Sequence, residues 1–251
     1  MKKLNGVAIL VALAGASAPA LAAGTLYFSR DGDTNGLFSL STFDGSATHL
    51  GQSGVTSSTV GLTESSTPGV LYGSSWTDML HINADGSGAT SVGGVFCEGM
   101  AWDPNGGVLY ASINGDFFTA DPSNGNRLTN PALPGADVEG LAYGNKGVYG
   151  LARFDSNLYF YDIGANSWSV VGNTGISWDL AGLAYDPTTN TLYGKGAQDS
   201  TLYGIDPGSG QAFKIGDTGI AEGGGLGFVV PTPGAAALLG LGGLAAFRRR
   251  R

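Results

Sequence analysis

The sequence predicts an all-β protein: a five-bladed β-propeller closed by a C-terminal strand, with a signal helix at the N-terminus and a transmembrane helix at the C-terminus. Three observations lead there. A glycine-centred segment recurs at positions 61, 99, 140, 182 and 225, a spacing of 38–43 residues. Each interval holds four short β-type runs separated by Gly, Pro, Asn and Asp turns, the pattern of a four-stranded antiparallel unit. The array also starts and stops with complementary fragments. A period near forty residues with four strands per unit marks propeller blades.

The segments are Cys97-Glu98-Gly99-Met100-Ala101-Trp102-Asp103-Pro104, Val138-Glu139-Gly140-Leu141-Ala142-Tyr143 and Leu180-Ala181-Gly182-Leu183-Ala184-Tyr185-Asp186-Pro187. Weaker copies are Val60-Gly61-Leu62-Thr63-Glu64 and Gly224-Gly225-Leu226-Gly227-Phe228. Each unit continues with an apolar-Tyr pair, as in Leu71-Tyr72, Leu109-Tyr110, Val148-Tyr149 and Leu192-Tyr193. A second apolar pair follows, then a polar turn such as Asp206-Pro207-Gly208-Ser209-Gly210, then a last short strand. The first unit opens directly at Leu26-Tyr27-Phe28 and lacks its glycine strand, whereas the last unit is that strand alone. Pairing Leu226–Val230 with Leu26–Ser29 completes a fifth blade and leaves no open sheet edge.

The ends read as addresses. Residues 1–22 carry Lys2 and Lys3, then an apolar stretch from Val7 to Gly15, then Ala20-Leu21-Ala22 before a cleavage point, the layout of a secretory signal peptide. Residues 24–230 form the propeller domain and residues 231–251 a tail. In the tail Pro231-Thr232-Pro233 precedes the apolar run Gly234 to Phe247 and four arginines, Arg248, Arg249, Arg250 and Arg251. That run, as a helix, is about 21 Å long, shorter than a hydrocarbon core. A terminal arginine cluster holds such a segment on the cytoplasmic side.

This tail resembles the PEP-CTERM sorting domain of Gram-negative bacteria, which has a Pro-Glu-Pro-like motif, a short transmembrane helix and a basic end. Thr232 stands where that family usually has Glu. The resemblance implies recognition by an exosortase-type processing enzyme, cleavage near the motif, a membrane-held intermediate, and delivery to the cell surface or an extracellular matrix. The repeat, in turn, resembles YVTN and NHL-type propellers, carried by Leu183-Ala184-Tyr185-Asp186-Pro187 and Leu202-Tyr203-Gly204-Ile205-Asp206. It implies a fold; a fold does not fix a function.

Composition narrows the function. The chain has 251 residues, 44 of them Gly, a net charge of −8 and one Cys. Without residues 1–22 and the terminal arginines, 6 basic residues face 20 acidic ones. That balance excludes a nucleic-acid binder driven by a basic face. A single cysteine, Cys97, excludes a disulfide scaffold and reads as a buried small hydrophobe. Only two histidines exist, His49 and His81, and neither neighbours a cysteine or another histidine, so a zinc site lacks ligands. No Gly-x-Ser-x-Gly elbow opens a helix.

Two oxygen-rich features remain. Asp31-Gly32-Asp33-Thr34-Asn35-Gly36 matches the first half of a calcium loop, making Asp31, Asp33 and Asn35 candidate metal ligands. Thr42 occupies the twelfth position instead of Glu, and the plainer reading is a polar turn. Glu98 and Glu139 fill one slot of consecutive blades, and Asp179 and Glu222 each stand three residues before a repeat glycine. Equivalent positions of a propeller ring its axis, so these four form a candidate ligand mouth; the plainer reading is solvated or backbone-bonded carboxylates. Glu64 replaces the aromatic found in the other blades (Trp102, Tyr143, Tyr185, Phe228). Those aromatics and the Leu-Tyr pairs read as blade-to-blade packing, while Trp76 and Trp168 fall outside the strongest repeat slots and are candidates for exposed carbohydrate or partner contacts. The function expected is a non-enzymatic binding or structural domain, with polysaccharide or surface proteins as partners and no cofactor beyond calcium. The alternative is an exported lyase or glycan hydrolase with an acidic axial site.

Overall fold

The computed structural model describes residues 24–31, 36–51, 59–94 and 96–231. Residues 24–230 form one compact unit. Its first blade contains β1 (Thr25–Ser29), β2 (Leu37–Leu40) and β3 (Ala47–Gly51). The second is β4 (Thr59–Glu64), β5 (Val70–Ser75), β6 (Met79–Asn83) and β7 (Ala89–Gly93). The third is β8 (Gly99–Asp103), β9 (Val108–Ile113), β10 (Asp116–Ala120) and β11 (Arg127–Thr129). The fourth is β12 (Val138–Gly144), β13 (Gly147–Ala152), β14 (Asn157–Asp162) and β15 (Ser167–Asn173). The fifth is β16 (Gly182–Asp186), β17 (Thr191–Lys195), β18 (Thr201–Ile205) and β19 (Ala212–Asp217), and β20 (Leu226–Val229) follows.

The five sheets have four strands each, and the first runs in the order β20, β1, β2, β3. Strand β20 lies antiparallel to β1 with Leu26 opposite Phe228 and Phe28 opposite Leu226. The ring is thus closed by both ends of the domain, as the fragments in the sequence require. The closing strand stops at Val229, one residue short of the sequence expectation. In every blade the pairing of the third and fourth strands slips by one residue, as at Met79/Leu80 and Leu202/Tyr203. Such bulges increase local twist and turn the outer edge away from its neighbour.

The core is divided among the seams. Five apolar clusters sit at the five blade-to-blade interfaces. The seam between the second and third blades buries Tyr72, Met100, Trp102 and Phe118. That between the first and second blades relies on aliphatic residues, Leu37, Leu62, Leu71, Leu80 and Ile82.

The recurrent glycines mark where the inner strands crowd the axis. A Cβ on Gly99 would lie 2.6 Å from the Glu139 carbonyl oxygen, and one on Gly140 would lie 2.7 Å from that of Ala181. Gly61, Gly182 and Gly225 meet the next inner strand in the same way. Any larger residue would force neighbouring backbones apart.

The signal segment, Thr232, Pro233 and the apolar run with Arg248 to Arg251 lie outside the described residues, as do Asp33 and Asn35. Among the described residues no helix is long and apolar enough to cross a membrane.

Candidate functional site at the entry end of the axis

The five inner strands enter the disc at one end of its axis. The residues immediately before the repeat glycines, Val60, Glu98, Glu139, Ala181 and Gly224, line one axial cavity there, joined by Asp31 and Leu180. The cavity volume is about 10 Å³, room for one water-sized particle. Two carboxylates and three apolar or small residues therefore share the ring.

Glu139 is aimed at the axis by a bulge. The pairing of β12 with β13 slips between Val138 and Gly140, so Glu139 is the extra residue. It is 1% exposed, and neither carboxylate oxygen has a hydrogen-bond partner of good geometry. Its nearest cation is the Arg153 Nε, 3.5 Å away. Burial first, and the neighbouring Glu98 charge second, push its pKa up to about 7, against the opposing pull of Arg153. Glu98 is raised as well, mainly by burial, while the Asn114 backbone N–H donates to its Oε2 at 3.4 Å.

The other two members of the candidate mouth stand away from the cavity wall. Asp179 pairs with the same Arg153 Nε at 3.2 Å, and a third of its side chain is exposed. Glu222 is bonded to the Arg30 guanidinium. They occupy the approach loops, three residues before the glycine, where the backbone has not yet reached the axis. So the mouth combines two deeply set carboxylates with two outer ones, and Glu139 shares Arg153 with Asp179. Among the described residues no three His, Cys, Asp or Glu side chains converge to hold a metal ion.

Asp31 serves the site as a support. Its Oδ1 accepts a hydrogen bond from the Trp76 indole N–H at 3.0 Å. The Trp76 ring, 46% exposed, stacks on Phe96 with centroids 4.8 Å apart and an interplanar angle of 28°. Phe154 is also exposed, with the Arg153 guanidinium 4.9 Å from its ring centroid. Trp168 differs from the sequence expectation. Its ring packs against Phe117 and Tyr161, and its N–H donates to the Ala132 carbonyl at 2.9 Å. The loop after β11 folds over it, which the repeat pattern did not disclose.

Sequence reasoning missed the cations. Arg30, Arg153 and Lys195 all stand at or just past the end of a blade's second strand. Lys195 is fully buried, donates to the Glu222 carbonyl at 2.7 Å, and lies 4.9 Å from the Phe28 ring centroid. Burial lowers its pKa to about 8, against the attraction of Asp199 and Glu222. A basic residue recurring at that slot, opposite an acidic approach loop, was the available signal.

Two loop pairs fix this end of the disc. The Thr174 hydroxyl donates to the Ser156 carbonyl at 2.9 Å, and the Thr218 hydroxyl does the same to Ser200 at 2.7 Å. The matching Asn173-Thr174-Gly175-Ile176 and Asp217-Thr218-Gly219-Ile220 make one capping turn twice. Cys97 is buried beside the mouth, its thiol pushed up to about 12 by burial, which leaves it an inert hydrophobe. His81 is bound to the Pro122 carbonyl at 2.7 Å and His49 packs against Phe38, each on the outer part of its blade.

No protein-family model matches this chain, and no curated protein matches it. Among solved structures it is similar to a chain of the nidogen/laminin complex, with 12% identity and a TM-score of 0.56. That likeness covers 82% of this chain and 98% of the other. It is also similar to a structural-genomics protein of unknown function from Bacteroides thetaiotaomicron, at 14% identity and a TM-score of 0.49, over 76% of this chain and 50% of that one. The first likeness concerns the fold alone.

Proposed function

We propose that this is an exported protein of the cell surface or extracellular matrix, processed at its tail by an exosortase-type enzyme, whose propeller is a non-enzymatic binding domain. The ligand favoured is extracellular polysaccharide. The observation that carries the binding reading is the Trp76–Phe96 stack at the rim of the acidic mouth, held in place by Asp31. An aromatic face that is already ordered loses little entropy on binding, and it suits the C–H face of a pyranose ring. The acidic surface disfavours polyanionic glycans, which leaves neutral or cationic ones.

The axial cavity weighs against the alternative of a lyase or hydrolase. Glu98 and Glu139 border a space of about 10 Å³, too small to seat a sugar between an acid and a base. The similar chain in the nidogen/laminin complex comes from an assembly of two proteins, which lends fold-level support to a binding role.

The test is a pull-down of the full chain on insoluble polysaccharides beside a Trp76→Ala variant. Binding that needs Trp76 supports the reading, and binding unaffected by the substitution defeats it. Processing is tested by mass spectrometry of the exported protein. An intact Arg248–Arg251 end on surface material would contradict exosortase processing.

A further inference from the structure

We infer that the opposite, exit end of the axis is a second and separate ligand site, one that takes a small organic ammonium compound through the Glu64 carboxylate and a surround of aromatic rings. It is independent of the binding proposed at the entry end.

The residues three places after the repeat glycines form the second axial ring: Glu64, Trp102, Tyr143, Tyr185 and Phe228. All five line a neck of about 20 Å³. Above it opens a mouth of about 410 Å³, and Glu64, Tyr143, Tyr185 and Phe228 line that too. The size and lining are those of a small-molecule pocket. Glu64 thus stands where the mouth narrows. Among the described residues its side chain makes no hydrogen bond and no ion pair.

The rings are fixed beforehand. The Tyr143 hydroxyl accepts from the Asn105 side-chain amide at 3.3 Å. The Tyr185 hydroxyl lies 2.8 Å from the Asn190 Oδ1 and 3.1 Å from the Asn145 Oδ1. Phe228 stacks on Tyr193. A half-buried carboxylate with no partner, set among aromatic groups, repels anions. A neutral sugar would give it hydroxyl hydrogen bonds but leave its charge uncompensated. An ammonium group with apolar substituents satisfies both the charge and the rings. Asn105 and Asn145 add amide groups at the mouth, so an amino sugar and a quaternary ammonium compound share the recognised chemistry.

Lys146 gives the test its sign. It is exposed at the tip of the hairpin joining β12 and β13, where Asn145 and Lys146 have φ of 52° and 64°, and it lines the mouth. A cationic ligand is opposed by Lys146 and held by Glu64; an anionic ligand reverses both signs.

The experiment is calorimetric titration of the full chain with glucosamine, tetramethylammonium and N-acetylglucosamine. The expected result is saturable binding of glucosamine or tetramethylammonium, at least tenfold weaker in Glu64→Gln and unchanged or tighter in Lys146→Gln. Glucosamine alone would mark an amino-sugar site, and tetramethylammonium a quaternary ammonium site. Circular dichroism confirms that each variant is folded, and added salt should weaken binding to the native chain, a readout that needs no variant. Binding of neither cation, N-acetylglucosamine binding as tightly as glucosamine, or a Lys146→Gln variant that binds more weakly would overturn the inference.

Discussion

Trp102 meets Tyr72 edge-on across the seam between the second and third blades, with ring centroids 5.4 Å apart. The same slots pair Tyr185 with Tyr149 at 6.1 Å and Phe228 with Tyr193 at 6.0 Å. Three of the four inner-ring aromatics therefore cover the tyrosine of the preceding blade, as the Leu-Tyr pairs in the sequence anticipate. The register of the repeat gives Glu64 the corresponding place at the seam with the first blade, whose tyrosine is Tyr27. Glu64→Phe should stabilise the fold by about 1–2 kcal/mol, by restoring an aromatic pair and removing a partnerless carboxyl. Trp102→Ala should cost about 3–5 kcal/mol. Urea denaturation of both variants measures the difference; a destabilised Glu64→Phe would show that the first seam has no room for a ring.

The axial glycines make a second prediction. Gly140→Ala would set a methyl group 2.7 Å from the Ala181 carbonyl oxygen, between two strands that cannot part without opening the ring. The expected cost is about 2–4 kcal/mol. Gly69→Ala meets no atom within 4 Å and pays only for its φ of 77°, about 1–2 kcal/mol. Thermal melts of the two variants should separate clearly; equal losses would mean that the axis is looser than its geometry implies.

Stability should fall with rising pH between about 5 and 8. Glu64 and Glu139 both have folded pKa values raised to about 7 from 4.5. The folded chain thus holds protons that the unfolded chain has released, and the penalty grows from pH 4.5 until it is complete above 7. Around Glu139, Glu98 and Asp137 add to the shift while Arg153 opposes it. The expected loss is on the order of 1–3 kcal/mol for each group. Replacing both by Gln should flatten the profile of melting temperature against pH. The aspartates that cap turns, such as Asp121 and Asp206, have lowered values and matter only in more acidic solution.

Closure by β20 predicts unequal effects of small changes within that strand and just beyond it. Phe228 is buried and stacked on Tyr193, so Phe228→Ala should cost about 3 kcal/mol or more. Val230→Ala, half-buried just beyond the strand, should cost under about 1 kcal/mol. Deleting residues 225–229 should abolish the cooperative transition, because the first blade would keep three strands and expose the edge of β1. A cooperative melt in the deletion variant would rule out a closing role for this strand.

The blade count, the closing strand and the seam aromatics were legible because each is imposed once per blade. A backbone that returns to the same place every forty residues repeats its glycine and its ring. The mouth was less legible because its chemistry breaks the repeat. Glu98 and Glu139 could be placed from their slot, but Asp179 and Glu222 sit in approach loops whose path the spacing does not fix. Their counter-ions, Arg153 of the fourth blade and Arg30 at the far end of the chain, are distant in sequence. Trp168 was misread as exposed for a similar reason: the covering loop belongs to the third blade, and only the fold brings Ala132 over it.

The pairing of Leu26 with Phe228 also constrains when the molecule becomes whole. A chain made from its N-terminus must keep its first hairpin waiting, one edge bare, until nearly every other residue has been synthesised. Its latch is the last piece to arrive. Until then the half-made disc carries an unpaired strand edge that a neighbouring copy can pair with.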